Sequence, residues 1–280
     1  MTSVPGGTLE LVDGRRLAYD DVGDPNGVPV VYLHGCPDSR LTRHPDDAVA
    51  AHAGVRLVAV DRPGYGASDP PSDWTLESVA RDIAALVDHL DVDRAAVLGW
   101  SSGGAVALAC VAAFPEKFIA VGLAASTVPT TPDGQIDDVV AQVVPLVVPA
   151  DLTPELALEY IREGKSAAYL DDLDSVAGLA DQLVAGVIEA TAGGMSGVEF
   201  DIRNLMTPWS FDVSTIDTSA LLWYGEVDDV VAVAVGRALA DQLARASLDV
   251  IPGASHLLPL VHWSTLLQAL ALVTKETPCR

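Results

Sequence analysis

Apolar positions along this chain alternate between two patterns. Short runs rich in Val, Leu and Ala, with at most one charged residue each, occur at Val28–Leu33, Val55–Val60, 94–98, 118–125, 220–224 and 248–251. Runs of that length, apolar on both faces, read as strands of a buried parallel sheet. Between them lie stripes at helical spacing. Leu76, Val79, Ile83, Leu86, Val87 and Leu90 share one face, with Thr75 placed to cap the helix and Glu77 at its positive end. Gly104 to Phe114 is a longer apolar run, ended by Pro115. Further helices are expected near 41–53, 233–244 and 265–275. At the start, 9–12 and 15–20 read as two strands joined at Asp13-Gly14, a hairpin dipeptide.

The alternation predicts an α/β fold, a doubly wound and mostly parallel sheet with helices on both faces. Residues 128–213 break the rhythm. They carry helical patterns near 135–147, 154–168 and 173–190, and Thr153-Pro154-Glu155 makes a good helix start. Gly193, Gly194 and Gly197 punctuate the segment. It reads as a helical insertion between two core strands, with 1–127 and 214–280 forming the core.

Composition narrows the picture. The chain has 280 residues, half of them apolar, enough for one large core. Acidic residues outnumber basic ones 39 to 16, a formal charge of −23. That balance argues against nucleic acid and anionic membrane surfaces, both of which need basic patches. Cys36, Cys110 and Cys279 are odd in number and scattered, so neither a disulfide framework nor a zinc site is expected. The first residues show no secretory pattern, and no apolar run has the length of a membrane span. A cytoplasmic protein, monomeric or homodimeric, acting on a small molecule is expected.

The sharpest chemical signal is Gly99-Trp100-Ser101-Ser102-Gly103. It reads G-x-S-x-G, between a strand and a helix, where a tight bend lifts Ser101 clear of the backbone. A serine hydroxyl needs a base, and the base an orienting acid. Residues of that kind sit on loops at the C-terminal ends of strands. His256 follows the last strand in Pro252-Gly253-Ala254-Ser255-His256, whereas His44, His52, His89 and His262 lie in or beside helices. Asp228 follows the strand at 220–224, with Glu226 and Asp229 as competitors. An oxyanion site needs two backbone donors. The N–H of Ser102 and that of Cys36, in the turn His34-Gly35-Cys36 after Val28–Leu33, are the candidates; a reactive Cys36 thiol is the lesser reading.

Five motifs in this order resemble the α/β-hydrolase family, in its lid-bearing, esterase and haloperoxidase-like branch. They are His34-Gly35-x-Pro37, Asp61-Arg62-Pro63-Gly64-Tyr65-Gly66-x-Ser68, Gly99-x-Ser101-x-Gly103-Gly104, Gly225-x-x-Asp228-x-x-Val231 and Pro252-Gly253-Ala254-x-His256. The resemblance implies a helical cap at roughly 128–213. It also implies Ser101 as nucleophile, His256 as base and Asp228 as orienting acid, with no cofactor or metal. Serine in place of aspartate at the nucleophile argues against epoxide hydrolases and haloalkane dehalogenases. The elbow G-W-S-S-G-G also departs from the pattern of proline iminopeptidases.

The expected reaction is hydrolysis of a carboxylic ester, lactone or thioester of a small, largely apolar substrate, through an acyl-enzyme on Ser101. Activity is then expected to rise with pH as a histidine base loses its proton, near pH 6–7. His34, Trp100, Met206 and Trp209 are expected to contact substrate, and Met195, Phe200 and Phe211 are further pocket candidates. C–C bond or amide cleavage on the same residues, a ligand receptor and a non-hydrolytic biosynthetic enzyme are the alternatives.

Overall fold

The computed structural model describes residues 6–129 and 152–276. Eight strands form one sheet in the order β1-β2-β4-β3-β5-β6-β7-β8. β1 (Gly7–Glu10) and β2 (Arg16–Gly23) form the expected hairpin, turning at Gly14 with φ +83°. β2 is also antiparallel to β4 (Val55–Val60). The remaining pairs are parallel, through β3 (Val28–Leu33), β5 (Ala95–Trp100), β6 (Phe118–Ala124), β7 (Ser219–Gly225) and β8 (Ala246–Ile251). Register brings the strand ends level. Leu33 pairs with Gly99, Trp100 with Ala124, Ala124 with Trp223, and Gly225 with Ile251. The loops that follow β3, β5, β7 and β8 therefore leave the sheet at one edge.

Helices cover both faces because every central strand is apolar on both. α2 (Leu76–His89) begins with a capping box, in which Thr75 Oγ1 accepts from the Ser78 N–H at 3.0 Å and Ser78 Oγ from the Thr75 N–H at 3.2 Å. Its Ile83 and Leu86 are fully enclosed, and each such aliphatic side chain contributes about 1.5–3 kcal/mol. α3 (Gly103–Ala113) is apolar all round because it lies between the sheet and α2. On the other face, α1 (Ala48–His52) and α10 (Trp263–Glu276) pack together, and the Trp263 ring meets Tyr32 edge-on at 5.0 Å. α8 (Val233–Gln242) and α9 (Leu258–Val261) precede α10 in the chain.

Some helix expectations need correction. The one over 41–53 shrinks to α1. Pro45 supplies no N–H and disfavours helix before it. Arg40 and Arg43 are instead held in a largely buried ion-pair cluster with Asp20, Asp47, Asp61 and Glu189. The helix expected over 154–168 divides into α4 (Pro154–Arg162) and α5 (Ala167–Ser175), parted at Gly164 with φ +69°. Thr153 caps α4, and Ser166 caps α5. The helix expected over 173–190 starts later, as α6 (Leu179–Ala190), behind Gly178 at φ +82°. α7 (Ser196–Met206) is unanticipated. The helix expected near 135–147 lies outside the described residues. α4 to α7 stand between β6 and β7 in the chain. Ile161, Tyr169, Leu173, Leu183 and Val187 from these helices share one apolar cluster with Trp100, Leu257 and Leu260.

Candidate active site

Ser101 sits at the turn from β5 into α3 with φ +53°, a left-handed conformation that costs a non-glycine residue about 1–2 kcal/mol. The surrounding chain imposes it. The Ser101 N–H donates to Ala124 O at 3.0 Å, and Ser101 O accepts from the Gly104 N–H at 3.0 Å. The turn closes only because its glycines are bare. A Cβ on Gly99 would stand 2.6 Å from Gly103 O, and one on Gly103 would stand 2.3 Å from Leu33 O.

Asp228 and His256 are carried to the same edge by the loops after β7 and β8. The two loops meet at Gly225, where a Cβ would lie 2.2 Å from Ala254 O. His256 Nδ1 and Asp228 Oδ2 are 2.9 Å apart. Asp228 Oδ1 accepts from the N–H groups of Val230 at 2.8 Å and Val231 at 2.9 Å, so its carboxylate is held on both oxygens. Of its competitors, Glu226 is exposed and accepts from the Gly253 N–H, and Asp229 is exposed. Trp100 Nε1 donates to His256 O at 3.1 Å, and the two rings lie 5.6 Å apart, which fixes the histidine loop over the serine turn. The Ser255 N–H donates to Asp172 Oδ2 of α5 at 2.8 Å.

The turn after β3 lies alongside. A Cβ on Gly35 would be 3.3 Å from Ser101 Cβ and 3.2 Å from Asp38 Oδ2. Among the described residues, no protein acceptor takes up the N–H of Cys36 or of Ser102. Burial pushes the Cys36 thiol well above the usual range, which removes it as a thiolate nucleophile.

Ser101, His256, Trp100 and Cys36 face one cavity of about 220 Å³, walled by Asp38, Tyr160, Ile161, Lys165, Tyr169, Leu183, Val187 and Val230 among others. Its α4–α6 wall and Asp38 escape a reading of the sequence. The two tyrosines flank the α4–α5 break, but only docking of those helices shows which faces turn inward. Of the residues expected to contact substrate, Trp100 lines the cavity; His34, Met206 and Trp209 do not. His34 is fully enclosed beneath the turn. Its Nε2 accepts from the Arg62 N–H at 3.2 Å, which leaves Nδ1 to donate to Gly35 O at 2.7 Å. Burial and the neighbouring Arg62 charge hold its pKa well below the usual range, so it stays neutral and braces the loop. Met206 packs beside Tyr65 and Ile202, and Trp209 stacks on Phe211 at 5.4 Å.

A buried ionic network below the cavity was equally hidden. Arg62 and Asp201 of α7 are 1% and 2% exposed. Arg62 Nη1 donates to Asp201 Oδ1 at 2.7 Å and Nη2 to Oδ2 at 2.6 Å. Arg62 Nη2 also donates to Gly35 O at 2.9 Å and to Ser102 Oγ at 3.2 Å. Tyr65 and Ser102 hydroxyls donate to Asp201 Oδ2 at 2.7 and 2.8 Å. One carboxylate therefore ties together the β3 turn, the serine turn and the insertion.

Asp38 is the cavity's own acid. Burial raises its carboxyl pKa to about 7, against the lowering effect of the Thr42 hydroxyl, which donates to Oδ1 at 3.0 Å. In the unfolded chain the group titrates near its ordinary value, about 4. Between those values the folded protein holds the extra proton, so stability falls as pH rises through the window. Asp38→Asn is expected to stabilise the protein at pH 8 by about 2–4 kcal/mol and to change little at pH 4. Thermal melts at the two pH values measure this; equal effects at both would rule out a proton on Asp38.

An eight-stranded, mostly parallel sheet with a serine on a strained strand-to-helix turn, and acid and histidine loops at the ends of β7 and β8, defines an alpha/beta hydrolase fold. The chain belongs to the alpha/beta hydrolase family, whose profile matches residues 30–269. It is 35% identical to a non-heme chloroperoxidase of Streptomyces lividans over 136 residues, 46% of this chain and 49% of that protein, so the match spans about half of that relative. A putative non-heme chloroperoxidase of Synechocystis is 22% identical over 265 residues, 88% of this chain and 90% of the relative. Among solved structures, a hydrolase from Pseudomonas aeruginosa superposes with a TM-score of 0.76 at 23% identity, covering 99% and 100% of the two chains. An esterase from Exiguobacterium antarcticum does so at 0.72 and 21%, covering 96% and 99%. Among the described residues no helix is long and apolar enough to cross a membrane.

Proposed function

We propose that this chain is a serine hydrolase that cleaves a carboxylic ester, lactone or thioester of a small molecule through an acyl-enzyme on Ser101. The observation that carries the reading is the strained Ser101 opening onto the same cavity as the His256–Asp228 pair. The esterase named among the structural neighbours agrees with it.

In the proposed mechanism Ser101 Oγ attacks the carbonyl carbon while His256 takes its proton. Asp228, already held by two backbone donors, keeps Nδ1–H pointed at itself and stabilises the imidazolium. The oxyanion settles on the N–H groups of Cys36 and Ser102, each such donor being worth about 3–4 kcal/mol to the transition state. His256 returns its proton to the leaving alcohol or thiol. It then activates water against the acyl-enzyme, restoring Ser101 and releasing the acid. No step calls for a metal or cofactor. Free Cys36 and Cys110 suit a reducing, cytoplasmic setting.

The test is covalent. A fluorophosphonate probe is expected to add one equivalent to the wild-type protein, at the peptide carrying Ser101, and nothing to Ser101→Ala. An adduct elsewhere, or none, measured by intact mass and peptide mapping, would remove Ser101 as nucleophile.

A further inference from the structure

We propose that the cavity selects a short acyl group whose far end carries a carboxylate, and that Lys165 is the residue that selects it. The inference rests on Ser101 being the ester-cleaving nucleophile and adds the chemistry of what it attacks.

Lys165 stands in the break between α4 and α5, on the cavity wall. It is one of only three lysines in a chain carrying 39 acidic residues. Acids are so abundant that Arg15, Arg16, Arg40, Arg43, Arg56, Arg62, Arg81, Arg162 and Lys117 all find carboxylate partners. Among the described residues none lies within ion-pair reach of Lys165. Its ammonium instead rests over two cavity-lining rings, 5.6 Å from the centre of Tyr160 and 5.5 Å from that of Tyr169. Ring faces stabilise the cation and position it without satisfying its three N–H donors.

The rest of the wall suits an anion as well. Neither the Tyr160 nor the Tyr169 hydroxyl reaches an acceptor among the described residues. Burial pushes both far above the usual range, so they stay protonated donors. Asp38, the one carboxyl among the described wall residues, is held by burial at a pKa of about 7, so near neutral pH it too carries a proton much of the time. Ile161, Leu183 and Val187 on the same wall supply apolar surface for a short methylene chain. The volume of about 220 Å³ has room for a few carbons and a terminal group. The protein's formal charge of −23 repels such a substrate from afar, which makes a local cation necessary to hold it.

The experiment compares monoethyl glutarate with its neutral isostere ethyl 5-methylhexanoate, by ethanol release in 0.15 M salt to screen the long-range field. The wild-type enzyme is expected to prefer the charged ester at least tenfold in kcat/KM. Lys165→Met should lower that preference ratio by tenfold or more, and Lys165→Arg should restore part of it. Unchanged melting temperatures confirm that the variants fold. A wild-type preference for the neutral ester, or a ratio unmoved by Lys165→Met, overturns the proposal. Glutarate binding by calorimetry gives a readout independent of turnover. It should weaken at least tenfold in Lys165→Met, and equal affinities again overturn the proposal. Fluorophosphonate labelling separately reports on Ser101. A protein that binds glutarate through Lys165 but fails to label loses the hydrolase reading, and one that labels but ignores glutarate loses only this inference.

Discussion

Ser101→Ala is expected to lower kcat by on the order of 10⁴–10⁶-fold on any ester the wild-type protein turns over. Removing Oγ removes the bond-forming atom, while the donors at Cys36 and Ser102 and the cavity walls survive. Residual activity above the uncatalysed rate is therefore expected to be small but measurable. Stability should depend on the backbone instead. The backbone at Ser101 is held at φ +53° for the sake of the hydroxyl's position, and alanine inherits that strain. Glycine does not, so Ser101→Gly should be more stable than Ser101→Ala by up to about 1 kcal/mol, less glycine's extra chain entropy. A Ser101→Ala protein that kept a tenth of the wild-type kcat would mean that another group attacks the substrate.

The second large effect is expected at Asp201. Its carboxylate accepts four hydrogen bonds, two of them from a guanidinium that is 1% exposed. Asp201→Ala leaves Arg62 charged and unpaired in the interior, a loss of about 3–5 kcal/mol. It also removes the acceptor of the Ser102 hydroxyl and the anchor of the guanidinium that holds Gly35 O, both beside the proposed oxyanion site, so kcat/KM should fall even at temperatures where the variant stays folded. Replacing both partners, as Arg62→Met with Asp201→Leu, removes the buried charge altogether. That double variant should recover much of the stability and little of the activity. Denaturant melts and steady-state kinetics on the single and double variants separate the two losses. If Asp201→Ala melts within a degree of the wild type, the network has no structural weight.

The sheet was legible because parallel strands buried on both faces leave continuous apolar runs. Val28–Leu33 and Val55–Val60 match their expected limits to the residue. Helices bounded by clear capping chemistry, such as α2, were legible too. α7 was not, because Gly193, Gly194 and Gly197 look like breakers. Gly197 in fact lies in its first turn, where a Cβ would stand 2.4 Å from the Tyr65 ring. Close approach of another side chain explains that glycine, and no local pattern reveals it. At the site, Ser101, Asp228 and His256 could be picked out because each ends a strand inside a short motif. The structure puts the latter two within hydrogen-bond distance. The cavity wall could not be read in the same way. Met206 and Trp209 have the right chemistry for a pocket but pack elsewhere, whereas Tyr160, Lys165 and Tyr169 are brought to the cavity by how α4 and α5 dock. His34 was misread because a histidine in a glycine-rich turn can serve a ligand or the turn itself, and only burial decides.

Asp172 accepts from the histidine loop, and Asp201 accepts from Ser102 and from the Arg62 guanidinium that in turn donates to Gly35 O of the β3 turn; these ties also bear on how such a protein changes over evolutionary time. Every loop proposed to act on the substrate carbonyl is fastened to a helix of the insertion. The insertion is thus not an interchangeable cover that recombination could replace to obtain a new specificity. A transplanted segment would need acids in register with Ser255 and Arg62, or the recipient would lose its catalytic geometry along with its old substrate. Drift of specificity is therefore channelled into single substitutions on the cavity side of α4, α5 and α6, where side chains can change without loosening those ties.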